Sequence, residues 1–542
     1  MRGKKNFLFG ILLVFSNMLV AQNKKTPKLV IGIVVDQMRY DYVYKFWDVY
    51  GEQGFKRLVN EGFFCRNTNF NYIPTYTAPG HASIYTGTTP ATHGIIGNNW
   101  YDRKSKTEVY CTADNSYKTV GSSTTAGQMS PHNMLTTSIC DELRLSNNKR
   151  SKVIGISLKD RGAILPAGHL ANAAYWYDSS TGNFISSTFY MSELPTWVKD
   201  FNKLEWAKKH LSQPWTLALP KEKYSQSMAD DNKYEGAYKS ELKPVFPHNL
   251  PELMKDNGGL GLLKSTPFGN TIAKDFAIQT IKSENLGKGN FTDFLTLSFS
   301  STDYIGHQFG PGSMELQDTY IRLDKDLAEF LQFIDGYLGK NNVLIFLTAD
   351  HAGVENAAYL GDQNVPSGFF ESEQPIDSLK AFLKRNYGDT LVLSFSNDQV
   401  FLNRQSIEEK KLDLAKVQQD AADFMLRFRG VSNTITASTL AANDFSSGVR
   451  NRMQNGYNQK RSGDVIVNYQ PAWVEFTRTG TTHGSGYSYD THVPLFFYGN
   501  DIKAGSTSEA IDITDIAPTV SQFLNIEFPN ACTGKPINLL VK

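Results

Sequence analysis

The 542-residue sequence is poor in cysteine, has no excess of either charge, and has no long apolar run after its N-terminus. Each shortage excludes something. The four cysteines, Cys65, Cys111, Cys140 and Cys532, form no CxxC pair, which argues against a cysteine-ligated zinc site. Lys plus Arg total 55 against 54 Asp plus Glu, with no dense basic stripe, so nothing electrostatic points to nucleic acid. There is no internal repeat and no long low-complexity tract. With 40% hydrophobic and 20% charged residues, neither disorder nor collagen fits, and a sizeable core can form. At roughly 150 residues per domain the length gives about three to four units, or one large α/β core with insertions.

The N-terminus is a separate matter. Arg2, Lys4 and Lys5 precede a compact apolar run, Phe7 to Phe15, and Ala21 suits a cleavage site. This predicts a secretory signal peptide over residues 1–21, too short in its apolar part for a spanning helix. No later segment is long and apolar enough to span a bilayer, and no Cys lies near the cut to carry a lipid. Cleavage leaves 52 basic residues against 54 acidic, a net charge of −2. The mature chain is expected to be a periplasmic or secreted monomer. In that compartment the cysteines could form two disulfides with three possible connectivities. Cys65–Cys111 with Cys140–Cys532 is the preferred pairing; free, buried thiols are the other reading.

What the sequence does have is alternation. Leu29 to Val35, Phe294 to Leu297, Val343 to Leu347 and Val493 to Phe497 are nearly continuous apolar runs. Such runs suit strands buried on both faces, as in parallel sheets covered by helices. Between two of them, Leu316, Tyr320, Leu323, Leu327, Phe330, Ile334 and Leu338 recur at helical spacing, predicting a helix over Ser313 to Leu338 in a βαβ unit. Thr271 to Ile281 and Asp515 to Leu524 predict further helices. The expected fold class is α/β, a mostly parallel central sheet flanked by helices. Residues 22–542 then form a single domain, with cap insertions near 165–265 and 360–475.

In open α/β sheets functional groups gather beyond the carboxyl ends of the strands. Asp36 directly follows the first run, and Asp350-His351 follow the third. The strand near Phe294 to Phe299 leads into Asp303 and His307, four apart and so able to meet on one helical turn. His483, in Gly480-Thr481-Thr482-His483-Gly484, precedes the last run. Three Asp and three His from distant segments suit zinc or a similar divalent metal, and six ligands suit two ions rather than one. In Pro74-Thr75-Tyr76-Thr77-Ala78-Pro79-Gly80-His81-Ala82-Ser83, Pro79 fits a first helical turn. Thr77 is then a nucleophile candidate at a helix N-terminus, or simply the N-cap. Lys159 and Arg161, at alternate positions of an expected extended segment, would face one side. Read alone, they would be a solvated surface pair. His492 reads as a structural histidine before a strand, and His81 and His93 as supporting or packing residues.

Together these segments resemble the alkaline phosphatase superfamily, most closely the PafA-like bacterial alkaline phosphatases. The resemblance runs from Lys28-Leu29-Val30 through Asp36-Gln37-Met38-Arg39, the Thr77 loop and Gly94-Ile95-Ile96-Gly97-Asn98-Asn99-Trp100-Tyr101-Asp102. It continues through Ser157-Leu158-Lys159-Asp160-Arg161, Thr302-Asp303-Tyr304-Ile305-Gly306-His307, Thr348-Ala349-Asp350-His351 and Thr481-Thr482-His483, ending in Ile513-Thr514-Asp515-Ile516-Ala517-Pro518-Thr519. It implies two Zn2+ per chain. Asp303, His307 and His483 match the ligands of one; Asp36, Asp350 and His351, with the Thr77 oxygen, match those of the other. Thr77 matches the nucleophile, and Asn98, Lys159 and Arg161 match the groups that hold phosphoryl oxygens. Lys159 would stand in for the third, magnesium site of other alkaline phosphatases.

The implied activity is hydrolysis of small-molecule phosphate monoesters through a phosphothreonine. A diesterase or phosphonate monoesterase of the same superfamily, or a non-catalytic zinc protein binding phosphorylated ligands, are the alternatives. Family diesterases generally lack the Lys/Arg pair, and sulfatases need Cys or Ser where Thr77 stands. One departure is Ala352 after His351, where relatives often have Gly.

Overall fold

The apolar runs become buried strands because each contributes side chains to both faces of a covered sheet. The structure, a computed structural model, describes residues 26–541, so the predicted signal segment 1–21 lies outside the described residues. One ten-stranded sheet organises the chain. Its strands are β1 (Leu29–Val35), β2 (Phe63–Asn69), β3 (Thr119–Val120), β4 (Val153–Ser157), β5 (Ala173–Asp178), β6 (Asn183–Ser187), β7 (Asp293–Phe299), β8 (Val343–Thr348), β9 (His492–Gly499) and β10 (Gly505–Asp512). Their spatial order is β10-β2-β9-β8-β1-β7-β4-β5-β6-β3.

The centre, β8-β1-β7-β4-β5, is parallel throughout. Every residue of β1, β4, β7 and β8 is buried, which is why these strands read as unbroken apolar runs. Register is tight at the carboxyl edge, where Val34 pairs with Thr348 on one side and Ser298 on the other. Strand β9 is antiparallel to both β8 and β2, so it starts at the edge where its neighbours end.

Helices flank the sheet: α1 (Thr77–Thr86), α2 (Asp160–Ala167), α3 (Phe268–Ser283), α4 (Ser301–Phe309), α5 (Met314–Tyr337) and α6 (Ile516–Leu524). α1 packs on α2 and α6, while α5 packs on α3 and α4. The Ser313 side chain caps α5 by accepting from Leu316 N, which fixes its start one residue inside the predicted span.

The stretch near 165–265, expected only to cap the sheet, first extends it: β5 and β6 lie within it, and Leu250–Leu253 follows as a short helix. The stretch near 360–475 carries a separate four-stranded antiparallel sheet of Val392–Ser396, Gln399–Leu402, Val465–Tyr469 and Val431–Thr436, in that order. Helices Glu373–Tyr387 and Leu414–Met425 give that sheet its own core, including Leu379, Leu383, Val417 and Met425.

The preferred disulfide pairing is not formed. All four cysteines are free thiols, because Cys65 and Cys140 sit in the main core while Cys111 packs with Ala78, Ile95 and Trp100. Burial pushes the Cys65 and Cys111 thiols up to about 12 and Cys532 up to about 11, so they stay protonated.

Candidate active site

The site projects the strand order onto one edge of the sheet. Asp350 and His351 follow β8, Asp36 follows β1, Asp303 and His307 lie on α4 after β7, and Lys159 and Arg161 follow β4. Two groups of ligand atoms converge there: Asp36 with Asp350 and His351, and Asp303 with His307 and His483. In the first group His351 Nε2 is 3.4 Å from Asp36 Oδ1 and 3.7 Å from Asp350 Oδ2. In the second, Asp303 Oδ1 is 3.1 Å from His307 Nε2 and 3.6 Å from His483 Nε2. The His351 and His483 rings stack 3.5 Å apart, joining the groups.

All three imidazoles are oriented alike. His351 Nδ1 faces Ala352 O at 2.9 Å, His307 Nδ1 faces Thr481 O at 2.7 Å, and His483 Nδ1 faces Thr75 O at 2.7 Å. A carbonyl only accepts, so each Nδ1 carries a hydrogen. Nε2 of His351 and His483, both held below their ordinary values chiefly by burial, then presents its lone pair to the cluster. His307, lowered by burial but raised more by Asp303, instead pairs its Nε2 with that carboxylate.

The charge balance fits cations. Three buried carboxylates face one ammonium: Lys159 Nζ lies 2.7 Å from Asp36 Oδ2 and 2.6 Å from Asp303 Oδ2. Burial, with Asp303 and Asp350 beside it, pushes Asp36 well above the usual carboxylate range. Burial acts the same way on Asp303, but His307 and Lys159 outweigh it and hold that carboxyl well below. Burial, then the neighbouring His351 and His307, keep His483 well below its ordinary value, hence neutral. Asp36 Oδ1, Asp350 Oδ2 and His351 Nε2 are buried with no hydrogen-bond partner among the described residues. Orphaned acceptors of this kind cost about 1–3 kcal/mol each, and a divalent cation would satisfy all three.

Thr77 is the first residue of α1, 1% exposed, with its Oγ1 3.4 Å from Lys159 Nζ. The helix can lie this close to the β8 edge because position 80 is glycine: a Cβ there would sit 2.1 Å from Asp350 O. His81 braces the same turn, its Nδ1 2.9 Å from Thr77 O and its Nε2 2.9 Å from Ser298 Oγ on β7. Asn98 Oδ1 accepts from Ala78 N at 2.9 Å, which leaves its amide NH2 as a donor. Lys159 is the residue before α2 and Arg161 lies in that helix's first turn, so the expected extended segment is a helix start. Lys159 is nevertheless buried, and Arg161 is half-buried, held by Tyr110 Oη at 3.1 Å.

His93 and His492 stand apart, bonded to Ser83 Oγ and Arg66 O respectively. Ala352 keeps the loop after His351 in place by donating its N–H to Asp490 O at 2.9 Å.

Gln37 was not legible as a site residue. Its Nε2 donates to Asp303 Oδ1 at 2.8 Å and its N–H reaches Asp350 Oδ1 at 3.3 Å, so one residue links both groups. Its only signal is adjacency to Asp36. Gly306 makes room for it, since a Cβ there would meet Gln37 Oε1 at 2.0 Å. Thr302 and Tyr304 were also missed: Thr302 Oγ1 donates to Asp36 O at 2.5 Å, and the Tyr304 ring lies 5.0 Å from Lys159 Nζ.

With this geometry in hand, kinship can be read. Residues 30–492 match the family described as type I phosphodiesterase / nucleotide pyrophosphatase. The chain belongs to that family, within the alkaline phosphatase superfamily. Its full-length kinship is with the PafA-type bacterial alkaline phosphatases. It is 42% identical to alkaline phosphatase PafA of Elizabethkingia meningoseptica over 99% of both chains. It is 46% identical to alkaline phosphatase PhoV of Synechococcus elongatus over 96% of this chain and 94% of PhoV. A crystal structure of wild-type PafA superposes with a TM-score of 0.92 at 41% identity, covering 96% of this chain and 99% of that one. A Myroides odoratus protein named calcium-transporting ATPase is 46% identical over 99% of both chains. Among the described residues no helix is long and apolar enough to cross a membrane.

Proposed function

We propose that this chain is an exported, zinc-dependent alkaline phosphatase that hydrolyses phosphate monoesters through a phosphothreonine on Thr77. The observation that carries the reading is Lys159. Its ammonium touches one carboxylate of each ligand group and lies 3.4 Å from Thr77 Oγ1, so nucleophile, cation and both groups share one point. Export rests on the basic-then-apolar start of the chain and its Ala21 cleavage site.

Thr77 Oγ attacks phosphorus; the Oγ–P bond forms as the ester P–O bond breaks on the opposite side. Lys159, Arg161 and the Asn98 amide donate to the non-bridging oxygens, where phosphoryl transfer places its charge. His81 and Asn98 hold the first turn of α1, keeping Thr77 in line. Water then attacks the phosphothreonine, Thr77 regains its proton, and phosphate leaves. Two zinc ions, held by Asp36, Asp350, His351 and Thr77 and by Asp303, His307 and His483, would supply positive charge that lowers the hydroxyl and water pKa values and stabilises the leaving oxygen. Lys159 occupies the space between the groups and substitutes for a third cation; a stoichiometric third metal beside it would overturn that role.

The family description includes diesterases, so a diester is the second reading. Three donors aimed at phosphoryl oxygens favour a dianionic monoester, because a second ester substituent would displace one of them. Turnover of an aryl phosphate and of its bis-aryl diester, on metal-free protein before and after zinc addition, separates the readings. The expected outcome is zinc-dependent turnover favouring the monoester by orders of magnitude. Diester preference would overturn the substrate class, and zinc binding without turnover would favour a binding protein.

A further inference from the structure

Beside His483 a cavity of about 240 Å³ opens between the catalytic edge of the main sheet and the inserted four-stranded sheet. Its position is fixed at both ends. The Tyr76 ring, on the residue before Thr77, stands edge-on to His483 at 5.5 Å. Across it, the Asn397-Asp398 turn of the inserted sheet touches the Asn98 loop, with Asn397 Nδ2 donating to Asn99 O at 2.7 Å. His483 belongs both to this lining and to the second ligand group, and Tyr76 adjoins Thr77, so the cavity borders the site on the side of that group.

Its lining has a one-sided chemistry. Tyr76, Tyr469 and Tyr489 form aromatic wall, Asp398, Glu475 and Asp490 contribute carboxylates, and no Lys or Arg is among the described lining residues. Asp490 is 1% exposed and its Oδ1 accepts no hydrogen bond. Burial and the nearby Glu475 push Asp398 up to about 7, as expected of carboxylates that face each other without a cation. The phosphoryl side is the reverse, with Lys159 and Arg161 as its donors. The volume is below the roughly 300–1,000 Å³ of sites for drug-sized ligands, which suits a small departing group.

We propose that this cavity is a leaving-group subsite for a small cationic amino alcohol, so that the preferred monoesters carry an ammonium opposite the phosphate. Aromatic faces and carboxylates together are the chemistry that recognises an alkylammonium. The proposal rests on the monoesterase reading and deepens it.

The test compares kcat/KM for choline phosphate with that for 3,3-dimethylbutyl phosphate, its uncharged isostere. Wild-type protein should favour the charged ester by about tenfold, equivalent to one good cation contact. That ratio should shrink as salt is raised. In Asp398→Asn/Glu475→Gln it should fall towards one, with folding checked by thermal melt. Should that variant not fold, the wild-type ratio and its salt dependence still decide the matter. A wild-type ratio near or below one, with both esters hydrolysed, would overturn the subsite alone. Hydrolysis of neither ester by protein that turns over an aryl phosphate would also overturn the subsite alone, whereas loss of aryl phosphate turnover as well would overturn the monoesterase reading.

Discussion

The two ligand groups differ in how much of their environment the protein supplies. The group of Asp36, Asp350 and His351 is wholly buried, follows adjacent parallel strands, and leaves three polar atoms without a hydrogen bond, with His81 Nδ1 3.2 Å from one of them, Asp350 Oδ2. The group of Asp303, His307 and His483 joins a helix to a loop and is internally paired: His307 Nε2 lies against Asp303 Oδ1, Gln37 donates to that same carboxylate, and the His307 side chain is 30% exposed. Lys159 pairs with one carboxylate of each group, but the inner group keeps three buried atoms that a bound cation would satisfy, whereas the outer one is more fully paired without it. The contrast suits a fixed nucleophile on one side and an exchanging leaving group on the other.

The largest effect should come from the residue both groups serve. Thr77→Ala is expected to lower kcat/KM by about 10⁴-fold or more at saturating zinc, while phosphate or an ester still binds; steady-state assays and calorimetry check both halves. Next, His351→Ala and His307→Ala should each cost roughly 10²–10³-fold. Excess zinc should restore much of the activity of His307→Ala and little of His351→Ala, because the inner cavity leaves two buried carboxylates facing an incomplete ligand set. Equal rescue would erase the distinction between the groups.

Chelation should then lower the melting temperature. At a thousandfold excess over Kd each site contributes about 4 kcal/mol. The fall should persist in His307→Ala and diminish in His351→Ala, as differential scanning fluorimetry would record.

The smallest expected effect is a pH slope in metal-free protein. Asp36 is raised by burial and by Asp303 and Asp350. Its contribution to stability is therefore present below the unfolded value of 3.8 and lost as pH rises through its folded value. Metal-free protein should lose stability as pH climbs through that range, and Asp36→Asn should flatten the loss. Asp303 is depressed, so its contribution is present above 3.8 and lost only as pH falls through its lowered value. Asp303→Asn should weaken that slope, because it removes one of the charges that raise Asp36, without abolishing it, because burial and Asp350 remain.

How far the site could be read from the chain follows the same division. The inner group was legible because a strand buried on both faces is a nearly uninterrupted apolar run, and the first charged residue after it marks the carboxyl edge. Asp36 and Asp350-His351 announce themselves in this way. The spacing of Asp303 and His307 carried a helical turn, and α4 supplies it. Spacing said nothing of Gln37, whose bridging depends on a left-handed backbone (φ 62°) and on the glycine at 306. It also gave Lys159 as a surface group when considered alone; only the tertiary approach of β1, β7 and β4 surrounds it with carboxylates. The antiparallel course of β9 and the separate core of the inserted sheet depend on long-range pairing, which local periodicity does not encode. The cysteine pairing failed for a related reason: compartment allows a disulfide, but packing places these thiols in different clusters.

The central claim is that Thr77 carries the phosphoryl group between the two ligand sets. Zinc-loaded protein turning over a monoester can be quenched in acid and its Thr77 peptide examined by mass spectrometry. The account predicts phosphate on Thr77 in wild-type protein during turnover, and none in Thr77→Ala. Undiminished turnover by Thr77→Ala, or phosphate on a different residue, would contradict it.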